Sequence, residues 1–397
     1  MQKTDGHSRG PPVADTRRLC TPRPSTSSPP NDSLLTIVIP SYSPHLAQVV
    51  QQLGDWRRFC GDLNRVLFDI VVTREDVGAF RSTLAATQPR DMLCNTRLAV
   101  LDSLLEDTSL RTSLRRLVLA DSYHLIQSVK KLLGCAQADT EWCFAVDSEL
   151  RLLRPLSVAD VLAGYARRKA VLFNGQWLRG RQLRPGSKWL CVTANDDALL
   201  RGRVRRDQWF MDSYAWFWER RIVRAFNAVA LPRLGAMRPH CNRSLMVEST
   251  LYQYIRASER WAGGYTFVDI SKRWSELGLP PYLPPDSQYP GCSSGECVGV
   301  LLMGRNRFNM TNRHTDAIAA LLKAHAIPTY SPRGRRFHRE TWARFFNRSG
   351  VAFLTSPDYG HDLEQVRGIL EHTDAIYGHG FSSRVETWNH ARFKPKI

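Results

Sequence analysis

Two acidic residues one position apart, Asp147 and Glu149, have the types and spacing expected of a metal-binding pair. They directly follow a short apolar run that ends at Val146 and is typical of a buried strand. Side chains alternate along a strand, so the spacing predicts that both carboxylates point to one side and that Ser148 points to the other. Two hard oxygen ligands suit Mg²⁺ or Mn²⁺, which can bridge a diphosphate and neutralise the charge of a leaving group.

The acidic triplet is not specific by itself, because the chain contains two others of the same form, at 139–141 and 362–364. Only the acids at 147 and 149 directly follow an apolar strand. On the triplet alone, a second interpretation stays open, in which the strand ends in solvent and carries ordinary surface acids. The strands and helices around the triplet must distinguish a metal-binding pair from ordinary surface acids.

The elements that must position the pair alternate between strand and helix. Apolar, β-branched runs predict strands at 34–39, 66–72, 97–101 and 142–146. Apolar residues at helical spacing predict helices at 45–59 and 75–86, and a third that begins behind Asp121-Ser122 and ends near Gly134 as its C-cap. This order predicts an α/β fold with a mostly parallel sheet and helices on both faces. In such sheets, ligands bind at the carboxyl ends of the strands.

The chain of 397 residues is long enough for more than one domain. Its composition divides it into a disordered lead rich in Pro, Ser, Thr and Arg (1–33), a main α/β domain (34–290) and a smaller C-terminal α/β extension (291–397). The less regular middle of the main domain is predicted to contain helices at 157–168, 207–225 and 247–258 and strands at 170–173 and 265–268. In the C-terminal extension we expect strands at 298–303 and 351–354 and helices at 316–325, 339–347 and 362–376.

The composition also narrows the class of protein. The net charge is +18 and the pI is near 9.9, which suggests anionic partners such as nucleotide diphosphates, nucleic acid, acidic glycans or lipid headgroups. Arginine clusters at 201–206, 220–224 and 333–339 would make peripheral contact with anionic surfaces. No stretch of about 20 apolar residues is present, so we expect no membrane span and a soluble chain. A cytoplasmic location is favoured, and a secretory route is kept open in case a leader or anchor is missing.

Cysteine usage argues against a zinc site, because the nine cysteines form no Cys-x-x-Cys pair. Most of them are expected to be buried thiols. Cys292 and Cys297 flank a short turn and could form a disulfide in an oxidising compartment. Asn-x-Ser/Thr sequons start at 31, 242, 309 and 347, and they have meaning only on a secretory route.

Four segments, taken in order over roughly residues 34–275, resemble GT-A glycosyltransferases. They are an opening strand at 37–42, a helix with Gln and Lys at 123–132, a strand with Asp-Ser-Glu and Leu-Arg-Leu-Leu-Arg-Pro at 142–155, and Ser-Glu-x-x-Leu-Tyr-like residues at 246–254. In that family an Asp-x-Asp motif binds the metal and the nucleotide-sugar. This chain departs from the pattern in its second acid, which is Glu149 rather than Asp.

The resemblance implies a GT-A, Rossmann-like fold and transfer of a sugar from a nucleotide-diphosphate donor to a hydroxyl of a glycan, lipid or protein acceptor, with Mn²⁺ or Mg²⁺ as cofactor. The implied metal ligands are Asp147, Glu149 and a late histidine, for which His379 is preferred over His361 and His372. The implied donor-binding residues are Pro40, Tyr42, Gln127, Lys130 and Ser148.

The implied catalytic residues are Asp147 and Glu248. Glu248 would be the general base of an inverting enzyme, or would position the acceptor in a retaining one. Another interpretation is an acid that stabilises the N-terminus of a helix through the helix dipole. The acidic run Asn195-Asp196-Asp197 is expected to be a solvated turn, with acceptor binding as the second interpretation.

Three other functions stay open at this stage. The charge is compatible with a nucleic-acid or polyanion-binding protein, although no helix-turn-helix, zinc-finger or aromatic RNA-binding signature is present. A nucleotidyltransferase would use a similar sheet and metal with a different electrophile. An inactive, glycan-binding relative is the third alternative, because Glu149 departs from the usual acid.

Overall fold

The fold is described from a computed structural model, which places strands and helices in alternation as predicted. The described residues are 19–20, 33–106, 123–173, 175, 188–204, 208, 210, 216–237, 245–270, 272, 276, 312–327, 329–330, 345, 348–349, 351 and 353–355. The strands are β1 (Leu35–Pro40), β2 (Val66–Val72), β3 (Thr96–Val100), β4 (Trp142–Ala145), β5 (Leu150–Leu152), β6 (Ala170–Phe173), β7 (Phe217–Glu219), β8 (Thr266–Asp269), β9 (Thr329–Tyr330) and β10 (Phe353–Thr355). The α-helices are α1 (Leu46–Phe59), α2 (Val77–Thr87), α3 (Arg90–Asn95), α4 (Leu101–Glu106), α5 (Tyr123–Ala136), α6 (Val158–Arg168), α7 (Lys188–Leu200), α8 (Arg220–Ala230), α9 (Val247–Ala257), α10 (Glu259–Ala262) and α11 (Asn312–Ala324).

The central sheet has the strand order β3-β2-β1-β4-β7. Strands β1 to β4 are parallel to their neighbours, and β7 pairs with β4 in the antiparallel direction. Every residue of β1 and β2 is buried, as expected for strands covered on both faces. The predicted fold class, a mostly parallel α/β sheet, is therefore confirmed.

Helices cover both faces of this sheet, and two contacts show which face each one takes. Trp56 of α1 packs against Phe68 of β2, with ring centroids 5.8 Å apart. A Cβ added to Gly134 of α5 would lie 2.6 Å from Val38 of β1 and 2.9 Å from Val71 of β2. Since residues 68 and 71 are separated by an odd number of positions, they point to opposite faces of β2. The helices α1 and α5 thus sandwich the sheet.

Gly134 differs from its predicted role as a C-cap, because α5 continues to Ala136. The absence of a side chain lets the helix backbone approach the sheet closely at this position. The end of α5 is instead held by α8, whose Arg224 donates from Nε to the carbonyl oxygen of Ala136 at 2.7 Å. This bond satisfies one of the carbonyl groups that a helix end leaves without an intrahelical partner.

Two smaller sheets complete the described fold. Strands β6 and β8 are parallel to each other. Strand β10 pairs antiparallel with β5 and parallel with β9, so that Thr355 lies opposite Leu150. A strand from the predicted C-terminal extension is therefore hydrogen-bonded to the strand that directly follows Glu149. The division of the chain at residue 290 stays a prediction.

Two predicted segments are wrong. The helix predicted for 207–225 begins only at Arg220, because the aromatic residues before it form β7 and satisfy their backbone groups against β4. The solvated turn predicted at Asn195-Asp196-Asp197 lies in α7. This helix packs against α8 and α9, and it buries the side chains of Asn195 and Asp196.

Leu19 and Cys20, the residues of the N-terminal segment that the structure describes, are both attached to the domain. The backbone N–H of Leu19 donates to the carbonyl oxygen of Thr96 at 3.0 Å, and Cys20 forms a disulfide with Cys94. These two residues lie within the lead that was predicted to be disordered. Cys191 is also disulfide-bonded, whereas Cys60, Cys135 and Cys143 are buried free thiols.

Several predictions lie outside the described residues: the cap at 121–122, the strand at 298–303, most of the helix at 339–347, the helix at 362–376, the pair Cys292 and Cys297, and the late histidines His361, His372 and His379. Among the helices that the structure does describe, none has the length and apolar character needed to cross a bilayer.

Candidate active site

The site lies beside β1, at the point where the strand order of the central sheet changes direction. From β1 the chain adds β2 and β3 on one side, and β4 then pairs on the other side of β1. The carboxyl ends of β1 and β4 are therefore neighbours, and such a reversal is where open α/β sheets bind ligands. Pro40 ends β1, and Asp147, Ser148 and Glu149 follow the end of β4.

Asp147 is held from the helix that covers this edge. Gln127 Nε2 and Lys131 Nζ each lie 2.8 Å from its Oδ1 atom. Gln127 and Lys131 are four residues apart, so they share one face of α5. The side chain of Asp147 keeps 28% of its surface exposed. Its carboxylate is thus fixed in direction and still reachable by a ligand.

Lys131 joins Asp147 to a residue far along the chain. Its ammonium group also lies 2.5 Å from Glu248 Oε1 and 4.3 Å from the centre of the Trp216 ring. Burial disfavours the ammonium, but the charges of Asp147 and Glu248 outweigh this and raise the pKa of Lys131. One buried cation therefore bridges two carboxylates, one at the end of β4 and one in the first turn of α9.

Ser148 and Glu149 turn toward the loop after β1. His45 Nδ1 lies 2.8 Å from Ser148 Oγ and 3.5 Å from Glu149 Oε1, and its Nε2 lies 2.9 Å from the Tyr42 hydroxyl. The prediction that Ser148 points away from the carboxylates is wrong. The chain has left the strand by this point, because the N–H of Leu150 donates to the Asp147 carbonyl and closes a turn. Alternation holds only for extended backbone.

His45 and Tyr42 form one packed unit at the end of β1. Their rings lie 4.3 Å apart and are tilted by 44°. Burial lowers the pKa of His45, and the negative charge of Asp147 partly opposes this shift. His45 therefore lies between the Tyr42 ring and the Ser148-Glu149 turn and contacts both. Stacking of Tyr42 on a base stays a prediction.

Lys130 and Lys131 are both buried, but Lys130 contacts the loop after β1 and does not contact Asp147. Its Nζ donates to the carbonyl oxygen of Ser41 at 2.6 Å. Burial lowers the pKa of Lys130 to about 8, and the acids Asp76, Glu75 and Asp102 act in the opposite direction. Asp76 in turn accepts hydrogen bonds from the Ser43 N–H and the Thr73 hydroxyl. Lys130 thus stabilises the loop after β1, which leads to Tyr42.

The donor set fits a hard divalent cation. Asp147 and Glu149, whose side chains are 28% and 14% exposed, carry carboxylate oxygens just after β4, and Mg²⁺ and Mn²⁺ prefer such ligands. No three His, Cys, Asp or Glu side chains of the described residues form a group that could hold a metal ion. The protein would supply two carboxylates, and phosphate oxygens and water would complete the coordination. The third ligand assigned to His379 stays a prediction.

Comparison with known proteins gives weak similarities in fold. No protein-family model and no curated protein matches the chain. Core-mannan synthase A of Aspergillus fumigatus in its Mn/GDP form is similar at 11% identity, with 67% of this chain and 79% of that chain covered and a TM-score of 0.34. Mouse xyloside xylosyltransferase 1 in its apo form is similar at 9% identity, with 70% and 100% covered and a TM-score of 0.32. Residues 1–349 of Staphylococcus aureus TarS give 10% identity, 88% and 93% coverage, and a TM-score of 0.28.

Sequence reasoning missed three residues that meet at this site. Lys131 adjoins the predicted Lys130, but helical periodicity does not decide which of two adjacent lysines faces a site on a helix that is buried on several sides. His45 is the first residue of a predicted helix and carried no motif signal. Trp216 lies in a segment predicted to be helical, whereas its backbone carbonyl accepts the N–H of Ala145 at the end of β4.

Proposed function

We propose that this protein is a metal-dependent glycosyltransferase that moves a sugar from a nucleotide-diphosphate donor to an acceptor hydroxyl. The observation that carries the proposal is that Asp147, which is held by Lys131, and Glu149, which lies beside His45, both follow the end of β4 at the reversal point of the sheet. In the proposed site Asp147 and Glu149 hold the cation. When bound, the cation supplies charge neutralisation for the departing nucleotide diphosphate.

The other residues of the crevice orient this site. Gln127 and Lys131 fix the direction of Asp147, and His45 fixes the Ser148-Glu149 turn. Pro40 and Tyr42 line the end of β1, where the nucleotide base is proposed to bind. Lys130 supports that loop through Ser41 rather than by facing Asp147.

The test is a thermal-shift screen of nucleotide-sugars with and without Mn²⁺, followed by a sugar-transfer assay. We expect a donor to raise the melting temperature only when Mn²⁺ is present. Asp147→Asn is expected to lose this shift and at least 90% of transfer, roughly the effect of removing a main charge-stabilising group. Asp139→Asn is the matched control, because Asp139 begins another Asp-x-Glu triplet and its side chain is 52% exposed.

The products distinguish the alternatives. Transfer of a nucleoside monophosphate instead of a sugar would select a nucleotidyltransferase on a similar scaffold. Tight, steeply salt-dependent binding of nucleic acid with no nucleotide-sugar binding would select the polyanion-binding alternative. Full sugar transfer by Asp147→Asn would show that the site is assigned to the wrong residues.

The cysteine bonds support an oxidising compartment rather than the cytoplasm that the sequence favoured. Cys20 is bonded to Cys94, and Cys191 is also disulfide-bonded. Disulfides persist on the secretory route and are rare in the cytosol. We therefore propose that the protein acts on the secretory route, which mass spectrometry of the unreduced protein from its native cells would test through the pairing of Cys20.

A further inference from the structure

We infer that Glu248 is a positioning residue that acts on Asp147 through the ammonium group of Lys131. The sequence-based hypothesis made Glu248 a general base that touches the acceptor. The inference rests on the proposed function for its activity measurement, and on the described contacts for its geometry.

Access is the first argument. A general base must come within hydrogen-bond reach of the proton that it removes. The side chain of Glu248 is 6% exposed, against 28% for Asp147. Of the two carboxylates, Asp147 is therefore the more accessible to an acceptor hydroxyl, and Glu248 is largely shielded from one.

Charge is the second argument. Glu248 Oε1 lies 2.5 Å from Lys131 Nζ, and the same nitrogen lies 2.8 Å from Asp147 Oδ1. If Glu248 accepted a proton during the reaction, it would lose its charge and its ion pair with Lys131. The buried ammonium group would then have Asp147 as its remaining charged partner. Such a loss is costly where water is excluded. The geometry therefore favours a Glu248 that stays ionised and keeps Lys131 in place.

Neighbouring residues hold Glu248 and Lys131 in place. Glu248 lies in the first turn of α9, where the helix dipole favours a negative charge. The Ser128 hydroxyl of α5 donates to the Leu245 carbonyl oxygen at 3.3 Å, just before that turn. On the other side, the Trp216 ring covers the ammonium at 4.3 Å. A shift of Glu248 would thus be transmitted to Lys131 and then to Asp147.

The consequence is that Glu248 controls binding of the metal and the nucleotide rather than the acceptor step alone. We expect Glu248→Gln to weaken Mn²⁺-dependent nucleotide-diphosphate binding by about tenfold, the effect of weakening one charged hydrogen bond. In a Lys131→Met background the same substitution is expected to have no further effect. Lys131→Arg keeps a cation that can bridge two carboxylates, so it should retain more affinity than Lys131→Met.

The first experiment is titration calorimetry of Mn²⁺ and UDP or GDP with these variants, with kcat and KM measured beside it. A non-additive loss of affinity supports the inference. The inference is overturned if Glu248→Gln lowers kcat while nucleotide affinity stays within twofold of wild type, because that is the behaviour of a base.

The second experiment needs no ligand, so it tests the contacts of Lys131 even if the proposed function is wrong. The Lys131 ammonium signal of ¹⁵N-lysine-labelled protein is assigned by its loss in Lys131→Arg. Glu248→Gln and Asp147→Asn should both move that signal. The signal of Lys130, a buried lysine of the same helix bound to Ser41, is the matched control and should stay in place. An unmoved Lys131 signal in Glu248→Gln would refute the bridge, whether or not the protein binds nucleotides.

Discussion

The buried carboxyl group of Asp196 should make the stability of the protein depend on pH. Its residue is 2% exposed, and its Oδ1 accepts a hydrogen bond from the Thr250 hydroxyl at 2.5 Å. Burial raises the pKa of Asp196 from 3.8 to about 7, the Thr250 hydroxyl opposes this shift, and the negative charge of Asp197 adds to it. The perturbation that isolates this effect is Asp196→Asn, which keeps an oxygen acceptor for Thr250 and carries no charge.

The sign and size follow from proton linkage. Between about pH 4 and pH 7 the folded state holds a proton that the unfolded state has released, so the free energy of unfolding falls as the pH rises through this window. A pKa difference of about three units corresponds to roughly 4 kcal/mol when the pH is above both values. Asp196→Asn does not lose stability in this way, because an asparagine side chain does not ionise. We expect it to be about 2–4 kcal/mol more stable than wild type at pH 8, with the difference near zero at pH 4.

The assay is urea unfolding, followed by circular dichroism, at pH 4.5, 6, 7 and 8. Asp197→Asn is the matched control, since it removes an adjacent acid of α7 that is only half-buried. Its difference from wild type should change by less than about 1 kcal/mol over the same range. If the stability difference of Asp196→Asn does not vary with pH, or if this variant is the less stable one at pH 8, the burial argument for Asp196 fails.

Two further changes test the packing and the covalent link of the domain. Gly134→Ala should lower the free energy of unfolding by about 1–3 kcal/mol, because its Cβ would lie 2.6 Å from Val38. Gly54→Ala is the control, because nothing lies within 4 Å of the new Cβ, and it should raise the free energy of unfolding by up to about 1 kcal/mol. Equal effects of the two substitutions in urea unfolding would count against the close packing of Gly134 on the sheet. Cys20→Ser should cost about 2–4 kcal/mol by opening the link to Cys94, and a melting temperature equal to that of the oxidised wild type would contradict it.

The strands of the central sheet, and the place of Asp147 and Glu149 after one of them, could be predicted because these patterns depend on local residues. The apolar runs at β1, β2 and β4 are short, β-branched and separated by helical stripes, and each strand formed within a residue or two of its predicted bounds. Asp147 and Gln127 were expected in one site because the resemblance to GT-A glycosyltransferases implied it, and Gln127 Nε2 does lie 2.8 Å from Asp147 Oδ1.

The finer geometry depended on tertiary packing, which the sequence pattern does not encode. The choice between Lys130 and Lys131 follows from the rotation of α5, which is set by the close approach of Gly134 to β1 and β2. The direction of Ser148 follows from a turn that the alternation rule did not anticipate. Asp196 is buried because α7 is enclosed by other helices, although the polar residues beside it are typical of an exposed turn.

The pairing of β10 with β5 has a consequence for how the protein is synthesised. These strands are adjacent in space although roughly 200 residues separate them in the chain, and contacts of such separation form late. On the ribosome, the segments that build the central sheet emerge well before residues 353–355. The edge of β5, next to the Asp147–Glu149 turn, therefore lacks its β10 partner until residues 353–355 have emerged, and nascent chains stalled before that point would expose an edge open to aggregation. The strand that directly follows the candidate metal-binding acids is thus also a strand that needs protection while the chain is being made.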